Sequence, residues 1–167
     1  MPGPDAADDP DMVRPATAAD APRCAELCQA ALAGLAGVRG GPLFTRREAG
    51  LVAKALLRPG GLARLLADDR RRVLVGLLEG HVVALGVGRV DEVGEASIGV
   101  IDGCYVEPAA RQLGIGRALV EALVASFRAA GCRGVDVAAL PGDRDTKNLL
   151  EGAGFKARVI TMHRSLE

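Results

Sequence analysis

Apolar residues along this chain fall into two rhythms, and the changes of rhythm mark its elements. Short runs dense in Val, Leu and Ile occupy Arg72–Glu79, His81–Asp91 and Glu95–Val106, and such runs predict strands. Glu79-Gly80 is a tight-turn signal, so the first two form a hairpin, and the third lies antiparallel to the second. Met12–Pro15 predicts a short first strand, Gly134–Ala139 a further one and Phe155–Arg164 a last one. Helical spacing appears in Ala21–Ala36, where Cys24, Leu27, Cys28, Ala31, Leu32 and Leu35 share a face behind the polar caps Thr17 and Asp20. Gly40-Gly41-Pro42 stops that helix. Thr45 and Glu48 read as a capping box opening a second helix to about Arg58, which Pro59-Gly60-Gly61 breaks before one or two further turns over Leu62–Ala67. Arg117–Ala130 places Leu119, Val120, Leu123, Val124 and Phe127 on one face and ends at Gly131, a left-handed cap. Asp143 caps a helix to about Ala153. A strand–helix–strand crossover thus follows a hairpin-rich sheet. The expected class is α+β, a mixed, mostly antiparallel sheet flanked by helices, with no internal repeat.

Composition narrows the function more than the fold. At 167 residues, 49% of them hydrophobic and 25% charged, the chain suits one soluble globular domain. Residues 1–11 are Pro, Gly, Ala and Asp behind the first Met, too poor in apolar surface to offset their ordering entropy. They read as a disordered acidic tail ahead of a single domain over 12–167. The formal net charge is zero, but Asp5, Asp8, Asp9 and Asp11 lie in that tail, leaving 17 acidic against 21 basic residues elsewhere. That excess suits an anionic ligand and falls far short of a nucleic-acid footprint. With no Trp, one Tyr and three Phe, platforms for stacking bases are also few, so no nucleic-acid partner is expected. Cys24, Cys28, Cys104 and Cys132 read as buried thiols of a reducing compartment, because His81 and His163 are too remote to complete a metal site. No apolar run nears the ~20 residues of a membrane span and no leader pattern opens the chain, so a cytoplasmic protein is expected.

The chemistry gathers in Arg111-Gln112-Leu113-Gly114-Ile115-Gly116, set between an apolar strand and the Arg117–Ala130 helix. Strand, glycine turn and helix start together put several main-chain N–H groups at a helix N-terminus, which binds anions. Arg111 and Arg117 add positive charge on either side. A nucleotide-binding P-loop would need Gly-Lys-Ser/Thr, and here Arg117-Ala118 follows the glycines. A dinucleotide fingerprint would need a small residue where Leu119 stands and a doubly wound sheet longer than the remaining chain allows. The third phosphate-bearing ligand is coenzyme A.

Here the residues resemble a family. Ile101-Asp102-Gly103-Cys104-Tyr105-Val106-Glu107-Pro108, followed by Arg111, Gly114 and Gly116 in the spacing Arg-x-x-Gly-x-Gly, is similar to the acyl-CoA signature of the GCN5-related N-acetyltransferases (GNAT). Asn148-Leu149-Leu150-Glu151-Gly152-Ala153-Gly154-Phe155 is similar to that family's "N-x-Y-E-x-x-G-F" element, and Val13 to Asp20 to its opening "IRPAT-x-x-D". The resemblance spans about 12–166 and is densest over 95–155; residues 37–70 carry none of the signature.

The resemblance implies an acetyl-CoA-dependent N-acetyltransferase with a GNAT-like fold. Main-chain N–H groups of Gln112, Leu113, Gly114, Ile115, Gly116 and Arg117 would cradle the pyrophosphate. The strand residues Cys104, Tyr105 and Val106 would meet pantetheine, Cys104 and Val106 through their main chain, as an added strand would. Asn148 would reach the pantetheine arm or lie on an ordinary polar helix face. The acceptor, a small amine or a peptide amine, is expected between the first two helices, around Arg39-Gly40-Gly41, and the end of the Glu95–Val106 strand. Dimers are common in that family, so a homodimer is one state the resemblance allows.

Acetyl transfer needs a neutral amine, a polarised carbonyl and a tolerable leaving group. An alkylamine with a pKa near ~10.4 is almost wholly protonated at neutral pH, so a base or a water chain assists. Asp102, a carboxylate in a strand of apolar and small residues, is the first candidate and Glu95 the second; each could equally be a structural or solvated acid. One position departs from the family: its usual general acid, a Tyr, is Leu150 here. Two alternatives follow, a non-catalytic acyl-CoA-binding module and, more distantly, an NAD-dependent oxidoreductase.

Overall fold

Glu79 and Gly80 both take positive φ, 50° and 79°, the primed turn geometry that matches strand twist, and the hairpin they close is the centre of the sheet. The computed structural model describes residues 12–166; the expected acidic tail lies outside the described residues. In chain order the elements are β1 (Val13–Pro15), α1 (Ala21–Leu35), α2 (Gly41–Arg47), α3 (Gly50–Leu56), α4 (Gly61–Leu66), β2 (Arg71–Leu78), β3 (His81–Val93), β4 (Ala96–Val106), α5 (Ile115–Ala129), β5 (Gly134–Val137) and α6 (Arg144–Gly152). The sheet runs β1-β2-β3-β4-β5, antiparallel through β4 and parallel only between β4 and β5. The mixed α+β class expected from the sequence is the one observed.

Alternation across β2 and β3 divides the core in two. Val73, Val75, Leu85 and Val87 face α1, α3 and α4 through Cys24, Leu27, Ala53, Leu56, Leu62 and Leu65. On the other face α5 lays Ile115, Leu119, Leu123 and Phe127 against Leu74, Ala84 and Ile101. The Phe127 ring lies where β3 and β4 carry glycine: a Cβ on Gly99 would stand 2.4 Å from its Cγ, and one on Gly88 2.6 Å from its Cζ. Missing side chains on the sheet are what let α5 settle this close, and that closeness aims its first turn at the end of β4.

The chain entering α1 is held by a charged clasp upstream of the helix. Asp20 is buried, accepts from the Thr17 main-chain N–H at 2.7 Å and hydroxyl at 3.0 Å, and takes both Arg14 nitrogens at 2.7 and 2.9 Å. The Arg14 hydrogen bond, reinforced by Thr17, holds its carboxyl well below the usual carboxylate range against the opposing effect of burial. A depressed folded value means the stabilisation is present above the unfolded pKa and is lost as pH falls through it toward the folded one. Asp20→Asn is therefore expected to cost about 1–2 kcal/mol at pH 7, limited by the partial exposure of Arg14. The gap to the parent should narrow below about pH 4. Thermal unfolding midpoints at pH 7, 4 and 3 measure this; a gap constant with pH sinks it.

Two segments differ from the sequence reading. The expected Thr45–Arg58 helix is instead α2 and α3, broken at Glu48-Ala49. Helix begins earlier, at Gly41-Pro42 behind the left-handed Gly40, so Thr45 sits mid-helix and cannot cap. The expected last strand, Phe155–Arg164, is not a strand: residues 155–166 form no regular element. Val159, Ile160 and Met162 are 72%, 76% and 88% exposed, so the strand propensity of this run is left without the cross-strand packing that normally realises it.

Candidate acyl-donor and acceptor site

β4 outruns its parallel neighbour. Its pairing with β5 ends at Ile101 and Val137, whereas its pairing with β3 continues to Val106 opposite Ala84. From Asp102 to Val106 the edge of β4 toward β5 has no strand beside it among the described residues. The fork opens at a bulge: Ile101 faces Gly88 and Gly103 faces Val87, so Asp102 is the unopposed extra residue. Past it, the Glu107 N–H donates to the Val83 carbonyl at 3.0 Å. Main-chain groups two apart point the same way in an antiparallel ladder, so Tyr105 follows Glu107 toward β3 while Cys104 and Val106 turn theirs to the open side. The Val106 carbonyl there accepts from Arg111 Nε at 3.0 Å, and the Arg111 guanidinium lies 5.8 Å from the centroid of the Tyr105 ring.

The glycine turn continues this edge. Gln112 and Gly114 both have positive φ, 64° and 84°, and Gly114 is the N-cap of the 15-residue α5. Among the described residues, the N–H groups of residues 112–117 donate to no other protein group, which leaves a concave row of donors at the positive end of a helix. The two glycines differ in purpose. Gly114 supplies a left-handed conformation, whereas a Cβ on Gly116 would stand 3.4 Å from Val106 Cγ2 and 3.5 Å from Leu149 Cδ2. Those are ordinary contact distances, and they set the first turn of α5 beside β4 and α6, so the donor row and the open strand edge form one continuous strip.

α6 flanks the strip. Asp143 caps it by accepting from the Thr146 N–H at 3.1 Å, as expected. Its far end closes with Gly154 N–H donating to Glu151 and Phe155 N–H to Leu150, both at 3.0 Å, a left-handed cap at Gly154. The Gly-Phe pair of the motif is thus a helix stop. Asn148 is exposed, next to the Leu149 that meets Gly116. Leu150 is buried in the α5 layer.

The two candidate acids are far apart. Asp102 is nearly buried and each of its oxygens is taken by an arginine, one by Arg71 at 3.0 Å and the other by Arg89. Arg71 and Arg89 stand directly opposite each other on β2 and β3, a like-charge pair that needs an acid between them. The sequence reading missed both arginines, although their position on the apolar face of their strands was a signal. Glu95 lies in the exposed turn between β3 and β4, about 23 Å from Asp102 along an extended strand. The structure does not bring it to the fork. Cys104 points into the α5 layer, where burial pushes its thiol up to about 12.

The loop after α1 meets the loop after β5. A Cβ on Gly142 would stand 3.3 Å from Val38 Cγ1, and one on Gly40 3.5 Å from Leu140 Cδ2, which brings the Arg39-Gly40-Gly41 segment beside the loop that leaves β5. The C-terminal segment forms a wall the sequence did not suggest: Arg158 pairs with Asp136 of β5 at 2.5 Å, and residues 163–166 face α2 across a cavity.

Comparison with known proteins bears on this arrangement. Residues 46–155 match the acetyltransferase (GNAT) family. Among curated proteins no match is found. Many solved structures share the fold, among them the following three. An aminoglycoside N-acetyltransferase in complex with CoA is 16% identical over 92% of this chain and 93% of its own, with a TM-score of 0.69. Glucosamine-6-phosphate N-acetyltransferase from Arabidopsis thaliana is 20% identical over 93% and 97%, with a TM-score of 0.63. A transcriptional regulator from Bacillus halodurans C-125 is 22% identical over 91% and 98%, with a TM-score of 0.66.

Proposed function

Because the chain belongs to the acetyltransferase (GNAT) family, we propose that it moves the acetyl group of acetyl-CoA directly onto the amine of a small molecule or peptide. One observation carries the reading: the open β4 edge at Cys104 and Val106 runs into the uncommitted N–H groups of residues 112–117, which puts the two chemistries of that donor in the right order. The N–H groups of Gln112, Leu113, Gly114, Ile115, Gly116 and Arg117 hold the pyrophosphate, with the charges of Arg111 and Arg117 beside it. Cys104 and Val106 pair with pantetheine through their main chain as a further strand would, and Tyr105 supports that strand from the opposite face. Asn148 flanks the arm.

The amine attacks the thioester carbon, the C–S bond breaks, and the thiolate leaves. The amine's proton departs through water, and the thiolate is protonated from solvent. A thiol of pKa near ~8.5 is a fair leaving group unaided, so Leu150 in place of an acid is tolerable. Direct transfer also fits the strand's own thiol, because Cys104 is turned away and held protonated, a poor relay nucleophile. Asp102, first in line as a base, has both oxygens engaged by arginines and is better suited to fixing the bulge. Four free cysteines among the described residues suit a reducing, cytoplasmic setting. No helix among them is long and apolar enough to cross a membrane. Family likeness supports a homodimer.

CoA thiol release with acetyl-CoA and a panel of primary amines tests the reading. Turnover on at least one amine is expected, and Asp102→Asn should keep the shape of the kcat/KM pH profile while lowering the melting temperature. Tight acetyl-CoA binding with no turnover on any amine would establish the non-catalytic module that Leu150 favours.

A further inference from the structure

A cavity of about 460 Å³ lies between α2 and the C-terminal segment, lined by Pro42, Leu43 and Arg46 on one side and by His163, Arg164 and Leu166 on the other. Its charge is one-sided. Arg14, Arg23, Arg71, Arg89 and Arg158 each meet a carboxylate. Among the described residues Arg46 and Arg164 meet none, and no acid lines the cavity. Two guanidiniums that line one cavity without a carboxylate among the described residues suit an anion with oxygens to share, a carboxylate or a phosphate. Leu43 and Leu166, both exposed, offer apolar surface beside them.

The cavity is also in the right place. Pro42 follows Gly40 by two residues, and Gly40 abuts Leu140 in the loop that leaves β5 at the fork. The segment that leads to the opposite wall is tied to the same strand five residues before His163, through Arg158 and Asp136. A molecule in the cavity therefore lies beside the approach to the open edge of β4, where the acetyl group is delivered.

We infer that the acceptor carries, besides its amine, an anionic group that Arg46 and Arg164 hold, with an apolar part against Leu43 and Leu166. The amine end of this inference rests on the acetyltransferase reading; the anion end does not. Calorimetry on the CoA-saturated protein separates the two, using pairs that differ only in the anion: amino acids against their amides, glucosamine 6-phosphate against glucosamine, and inorganic phosphate as the bare ion. The anionic member of at least one pair should bind about tenfold tighter or more, and Arg46→Ala or Arg164→Ala should each remove about tenfold of that preference. Acetyl-CoA affinity should be unchanged, and Arg46→Lys should keep part of the preference. Whether the carboxylate or the phosphate pair responds identifies the anion. Equal binding within every pair, or a preference that survives both alanine variants, overturns the inference even if amines are acetylated. Arginine-dependent anion binding without acetylation of any amine keeps the anion end of the inference and sinks its amine end together with the acetyltransferase reading.

Discussion

Gly114→Leu is expected to weaken acetyl-CoA binding about a hundredfold or more while leaving the protein folded. Gly114 holds φ at 84°, a conformation that costs an L-residue roughly 1–2 kcal/mol. The variant therefore either carries that strain or twists the turn out of shape. Twisting scatters the N–H groups of 112–117, which are uncommitted within the described protein and useful only while they converge. Two lost hydrogen bonds to a charged group, at about 1.5–3 kcal/mol each, suffice for the hundredfold. The core does not depend on this residue, so the melting temperature should fall by only a few degrees. Titration with acetyl-CoA and with S-acetylpantetheine localises the loss: the first should collapse, while the second, lacking pyrophosphate, should change little. Undiminished acetyl-CoA affinity in Gly114→Leu would remove the phosphate cradle from the reading.

That turn was legible in the sequence because everything it needs is local. Strand, glycine spacing and amphipathic helix lie within about thirty residues, and the left-handed residue is a glycine. The same holds for the Glu79-Gly80 hairpin and the Asp143 cap. Asp102 shows the opposite case. Its isolation in an apolar strand was visible, but its partners come from β2 and β3, 31 and 13 residues away. Only the register reveals that its oxygens are spent. Thr45 and Glu48 had the letters of a capping box, yet a start four residues earlier prevailed. There Gly41 lies so close under α1 that a Cβ would stand 1.8 Å from the Leu35 carbonyl oxygen. Tertiary contact chose that start, and no local pattern records it. The C-terminal run carries strand propensity in Val159, Ile160 and Thr161, but propensity names a tendency and not a neighbour. β5 is four residues long, Arg158 ties the chain to it by a side chain, and the segment then turns toward α2. The region between α2 and the C-terminal segment was least readable for this reason: loop packing and the path of one irregular segment build it.

Phe127→Ala should reverse the pattern expected of Gly114→Leu, moving stability and leaving affinity alone. Phe127 is fully buried and fills the hollow left by Gly88 and Gly99. A truncation of this kind costs about 3–5 kcal/mol, because the two glycines have no side chains to close the gap. In a domain of this size that lowers the melting temperature by roughly 10 °C. The glycines make the claim specific. A methyl on Gly99 would collide with the ring near its root, so Gly99→Ala alone should destabilise by about 1–3 kcal/mol. In a Phe127→Leu background the same methyl should cost less, a coupling that a double-mutant cycle reads directly. Phe127 lies twelve residues along α5 from Ile115, about 18 Å from the donor row. Below the melting transition the helix start still rests on Val106 and Leu149, so acetyl-CoA should bind Phe127→Ala as it binds the parent. A loss of affinity in the folded variant would mean that the whole of α5, and not its first turn alone, shapes the cradle.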